Sequence, residues 1–161
     1  MNSIDQFIQI LDEQINLNNQ LLSLSNEKKE LIINNDAKKL NYISFKEQDI
    51  VKKIITLEKL RGAVLTNLER ELNVDKITNI KQVIESVDKQ KAIQIQQKSD
   101  KLKSILFELE KINDLNNKLI EFSLEYIQLN FNLLTSRPKP NNYGKKKENS
   151  ISDTNFFDAK Y

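Results

Sequence analysis

Residues 109–135 read LEKINDLNNKLIEFSLEYIQLNFNLLT. Apolar residues return there every three or four positions along two lines. One line runs Ile112, Leu115, Leu119, Phe122, Tyr126, Leu129 and Leu133, and the other runs Ile120, Leu124, Ile127, Phe131 and Leu134. Spacing of that kind is the mark of an α-helix with one side kept from water. Leu115 and Ile120 lie about 140° apart on a helix of 3.6 residues per turn, so the two lines make a face broader than one neighbouring helix covers. Either the rest of a helical bundle buries both lines, or the second line is a groove for a partner helix.

Outward from this stretch the pattern stays helical. Between Met1 and Arg137 there is one glycine, Gly62, and no proline, whereas Pro138, Pro140, Gly144 and the lysines Lys145, Lys146 and Lys147 follow within ten residues. Glycine and proline are the strongest local breakers of regular structure, so the body can run as helices much longer than three turns. The helix holding the quoted stretch is expected over 90–136, about 70 Å at about 1.5 Å per residue. Its first half has a single seam, Ile95, Leu102, Ile105, Leu109 and Ile112, which one helix satisfies. A break at Asn113-Asp114 or Asn116-Asn117 would shorten the groove.

Upstream, Ile4, Ile8, Leu11, Ile15 and Leu22 form the seam of a first helix over 3–34, interrupted at Asn18. Asn34-Asn35-Asp36 offers a turn and an N-cap. A second helix over 36–72 has the seam Leu40, Ile43, Ile50, Ile54, Leu57, Val64 and Leu68, with Glu47 and Arg61 at seam positions. Those charges either fix register or snorkel outward. Gly62 marks a close backbone approach or a tolerated defect that costs about 1 kcal/mol relative to alanine. After Asn73–Asp75, the residues Ile77, Ile80, Ile84 and Val87 form a short third helix laid on the hairpin. The expected fold is therefore all-α: a long antiparallel helical hairpin and coiled-coil bundle of about four helices, residues 1–136, followed by a flexible tail, 137–161.

Composition narrows the function. With 39% apolar and 30% charged residues, the 161-residue chain suits one domain with a narrow core. Histidine and cysteine are both absent, so the usual general base, thiolate nucleophile and preferred zinc ligands are missing. No catalytic residue, cofactor or metal is expected, and an enzyme is the least expected class. The segment after Met1 is acidic and amphipathic, unlike a signal peptide, and no run reaches about 18 apolar residues. A soluble, cytoplasmic protein without membrane insertion is expected.

From Arg137 onward six basic residues face three acidic ones, which leaves 19 basic and 20 acidic residues in the body. Lysines 145–147 match no groove-reading motif, so nucleic acid is not an expected partner. Phe156, Phe157, Asp158 and Tyr161 form an aromatic docking motif, either for the bundle itself or for another protein.

These parts together resemble the flagellar type III export chaperones of the FlgN type. The resemblance is carried by Glu27, Asp36, Lys46-Glu47 and Arg61 among Leu31, Leu40 and Leu57. It continues in Leu109, Asn113, Asn117, Leu119, Ile120 and Ser123-Leu124, then in Tyr143-Gly144 and Phe157-Asp158-Ala159-Lys160. Tyr161 stands where a small aliphatic residue is usual, and Asn73 where a glycine often ends the second helix. The resemblance implies a chaperone without ATP or metal. Its clients would be hook-associated proteins 1 and 3, held by their C-terminal helical segments until delivery to the membrane-embedded export gate. The client site expected on the last helix is Ile120, Leu124, Ile127, Phe131 and Leu134, with register from Asn117, Ser123 and Asn130. Two other classes remain: a coiled-coil scaffold that self-assembles through the same stripe, and a secreted helical component of the export system.

Overall fold

The computed structural model describes residues 2–135 as four helices: α1 (Ser3–Ile33), α2 (Ala37–Leu72), α3 (Ile80–Glu85) and α4 (Lys89–Thr135). Among the described residues there is no strand. Each helix starts on a side-chain cap. Asn2 accepts from the Asp5 N–H at 2.9 Å, Asp36 from Lys39 at 3.1 Å and Asp88 from Lys91 at 3.0 Å. Asn79 and Gln82 form a reciprocal capping box on α3. A cap of this kind contributes about 1 kcal/mol by satisfying an amide that the helix leaves free.

Both ends of the hairpin close through asparagine. Asn35 has φ 53°, and the Asp36 N–H reaches the Leu31 carbonyl at 3.0 Å while the Asn35 N–H reaches Ile32 at 3.1 Å. The α2 end repeats the arrangement: Asn73 has φ 53°, Val74 bonds Glu69 at 3.0 Å and Asn73 bonds Arg70 at 3.3 Å. Asparagine enters the left-handed region more readily than most residues with a side chain, so Asn73 serves where glycine is commoner.

α1 packs against both α2 and α4, which do not pack against each other. The cross-links fix the directions. Ser3 bonds Glu71, Gln14 bonds Glu58 and Lys28 pairs with Glu47 at 3.1 Å, so α1 and α2 are antiparallel. Asp5 pairs with Lys91 at 2.9 Å, Asp12 pairs with Lys98, and the Asn116 side-chain amide donates to the Ser25 carbonyl at 2.8 Å. α4 therefore runs parallel to α1. The two seam charges of α2 both have partners: Glu47 reaches across to α1, and Arg61 holds Glu58 at 2.7 Å, the same carboxylate that takes Gln14.

Being central, α1 buries a wider face than its seam alone. Phe7, Ile10 and Leu17 join Ile4, Leu11 and Ile15 in the core, while Ile8 is only half-buried. On α2 the buried residues are Ile43, Ile50, Leu57, Val64 and Leu68, all on the expected seam. The third helix is shorter than the run from Ile77 to Val87 suggests. It packs on α4, and its fully buried Val83 belongs to the core cluster that holds Ile4 and Phe7 of α1, Leu68 of α2 and Ile95 of α4, so it closes the core where α1 begins and α2 ends. No atom lies within 4 Å of a Cβ built on Gly62, which is therefore a tolerated defect and not a close approach.

Candidate functional site

α4 is continuous through Asn113-Asp114 and Asn116-Asn117. An asparagine inside a helix costs only up to about 0.7 kcal/mol relative to alanine. One of these four also recovers a buried bond, since Asn116 faces Ser25 on α1. Ser25 in turn reaches Asn113 at 3.4 Å, and this pair of contacts sets the parallel register.

The register decides what happens downstream. α1 ends at Ile33, eight residues past Ser25, so the same offset brings the end of α1 level with about residue 122 of α4. The last dozen or so residues of α4, about 18 Å of helix, then have no α1 beside them. The burial agrees. Ile95, Ile105 and Leu109 are buried in the first half, whereas beyond Asn116 no residue of α4 is buried.

The expected client residues fall in this overhang. Leu124, Ile127, Phe131 and Leu134 are exposed, Leu134 at 86%. Ile120, Ser123 and Asn130 are half-buried and Asn117 is exposed. The other line is open too: Phe122, Tyr126, Leu129 and Leu133 are exposed, so neither stripe is covered by the bundle. The three polar residues expected to set register differ in what they do. The Asn130 side chain donates to the Tyr126 carbonyl of its own helix at 2.9 Å. Asn116, which sequence reading passed over, is the residue turned inward. Its neighbours Asn113 and Asn117 share the same side-chain chemistry, and only the packing of α1 singles it out.

The charge in this segment is of one sign: between Ile120 and Thr135 there are Glu121 and Glu125 and no basic residue. A separate depression of about 760 Å³ lies between α1 and α2, bordered by Gln6, Gln9, Glu13, Asn16 and Leu60. It is shallow and open to solvent, with Ile10, Leu57 and Val64 at its floor beside the polar rim, and it does not enclose a ligand as a binding pocket does. Among the described residues no group of three or more acidic side chains is placed to hold a metal, and no helix is long and apolar enough to cross a membrane. Phe156, Phe157, Asp158 and Tyr161, the expected docking motif, lie outside the described residues, as do Tyr143-Gly144 and the rest of 137–161.

A capped hairpin that carries one long helix past its end, apolar on a broad face, defines a helical protein-binding module. The sequence matches the FlgN protein family over residues 1–151, and the chain belongs to that family. It is similar to the uncharacterized protein YvyG of Bacillus subtilis (strain 168), at 26% identity over 147 residues that cover 89% of this chain and 90% of that protein. No solved structure matches the chain. Membership gives the chain the general role of a flagellar export chaperone in flagellum assembly.

Proposed function

We propose that the overhang of α4 holds the C-terminal helical segments of hook-associated proteins 1 and 3 in the cytoplasm, prevents their premature assembly, and delivers them to the export gate. The observation that carries this reading is the uncovered stripe Leu124, Ile127, Phe131 and Leu134 on a helix that has outrun its own bundle. An amphipathic client helix laid along it completes the coiled-coil layer that α1 provides for the first half of α4. Burying five large apolar side chains, Ile120 included, gains on the order of 8–15 kcal/mol before association and ordering costs are subtracted, enough for specific binding. The protein acts by covering a surface, with no catalytic step, cofactor or metal.

Calorimetric titration with the C-terminal segment of each hook-associated protein from the same genome tests this. One-to-one saturable binding is expected. The double variant Leu124→Glu, Ile127→Glu should weaken it at least 100-fold, about 2.7 kcal/mol, while the circular-dichroism melt stays unchanged. Intact binding by that variant would move the site elsewhere. The same exposed stripe also supports a self-assembling scaffold, for which light scattering would show a mass that rises with concentration and no client complex.

A further inference from the structure

We infer that residues 155–161 of this chain occupy the overhang stripe of α4 in the client-free protein, so that a client must displace them. The inference rests on the stripe being the client site only in its last clause; the docking itself does not depend on any client. Four observations support it. The stripe is apolar and uncovered from Leu124 to Leu134. The twenty residues after α4 hold Tyr143 and Ile151 as their only aromatic or large aliphatic side chains, and then three aromatics return together, Phe156, Phe157 and Tyr161. Aromatic side chains each bring about 150–250 Å² of surface, and in a single helical turn Phe157 and Tyr161 share a face, the spacing that Ile127 and Phe131 present on α4.

The chain also has the right reach. The stripe from Ile120 to Leu134 is about 21 Å long, and the 19 residues between Thr135 and Asn155 reach about 65 Å at full extension, ample to return along it. Tethering through a short segment long enough to span the site gives a local concentration in the millimolar range, so even weak apolar contacts keep the stripe covered. Charge favours this occupant over a second copy of the chain: residues 155–161 carry one acid and one base, Asp158 and Lys160, and the basic excess lies in the segment that leads to them. The overhang carries only Glu121 and Glu125, and a second overhang adds more of the same sign, whereas residues 137–161 bring six basic and three acidic residues.

Because the chain has no cysteine, a single spin label is easily placed in the full-length protein. With Gln128→Cys labelled beside the stripe, the amide signals of 155–161 should broaden strongly. With Lys52→Cys labelled on α2 they should not. Ile127→Glu, or the triple variant Phe156→Ala, Phe157→Ala, Tyr161→Ala, should abolish the broadening. Absence of selective broadening from position 128 overturns the inference. So does broadening seen only when spin-labelled and isotope-labelled molecules are mixed, since the stripe is then covered by a neighbour. The triple variant should also bind the hook-associated segments about three- to tenfold more tightly, because the tail no longer competes. Unchanged affinity beside clear broadening would overturn the displacement. Failure of every hook-associated segment to bind any variant would defeat the client reading and leave the docking standing on the spin-label result.

Discussion

The two halves of α4 are both amphipathic, one with a single seam and one with two lines, and they meet opposite fates. From Lys89 to Ile112 the helix lies along α1, buries Ile95, Ile105 and Leu109, and is stapled by Lys91 to Asp5 and Lys98 to Asp12. From Asn117 to Thr135 it carries more large apolar residues and buries none of them. Apolar periodicity thus reports that a face is to be covered and is silent on what covers it. In the first half the cover is α1; in the second no described residue supplies one.

The largest effect that tests this contrast is on stability. Ile95→Ala removes a fully buried side chain from the junction of all four helices and should cost about 2–5 kcal/mol in urea unfolding. Leu133→Ala, equally apolar by type but 67% exposed, should stay within about 0.5 kcal/mol. Comparable losses would mean that the overhang is packed in the free protein and would break the comparison.

Next in size is the polar clamp between the halves. Asn116→Ala takes away the bond to the Ser25 carbonyl, which keeps its helical partner four residues on within α1, so a loss of about 0.5–1.5 kcal/mol is expected. The Asn116 side-chain oxygen is itself buried without a partner, which places the effect toward the lower end. Asn117→Ala, on an exposed neighbour, should change stability by less than about 0.5 kcal/mol. Hydrogen exchange in 105–120 should rise only for the Asn116 variant.

A change of opposite sign sharpens the separation of platform from overhang. Gly62→Ala meets open space on α2 and should stabilise the fold by up to about 1 kcal/mol in thermal melts. Client affinity should not move, because Gly62 is on the hairpin and the client site is on α4.

The smallest effect is electrostatic. The Lys39 backbone N–H donating to the Asp36 carboxylate, with the Lys39 side chain nearby, holds its pKa below the ordinary 3.8. A lowered carboxylate pKa contributes stability that is present above the unfolded value and lost as pH falls through the folded one. Below about pH 4 the start of α2 should therefore weaken slightly in the native protein. In Asp36→Asn, which keeps the acceptor without the charge, this part of the acid profile should flatten.

Much of the architecture was legible in the chain. Asn34-Asn35-Asp36 and Asn73 marked the hairpin ends to within a residue, because short polar side chains both cap helices and tolerate a left-handed backbone. The α2 seam was read correctly, since one partner helix needs one stripe. The wider buried face of α1 was not, as Phe7, Ile10 and Leu17 enter the core only because α1 is sandwiched between two helices. α3 was overestimated because Ile77 and Val87 are apolar outside the helix too: both pack on the core from irregular backbone. For the site, the stripe residues could be listed from periodicity, but the inward turn of Asn116 in place of Asn117 could not, since neighbouring asparagines differ only in which way the packed helix faces them.

What the sequence determined by itself was local: four helical segments, their caps, their apolar stripes, and a body without histidine or cysteine. These follow from backbone propensity and side-chain period, which act over a few residues. What the tertiary structure decided was the relation between segments. The parallel alignment of α4 on α1 comes from paired groups about 90 residues apart, Ser25 with Asn116 and Asp12 with Lys98. The difference in length between α4 and the hairpin beneath it then leaves the first half of α4 buried and the second half open, and no local signal carries that difference.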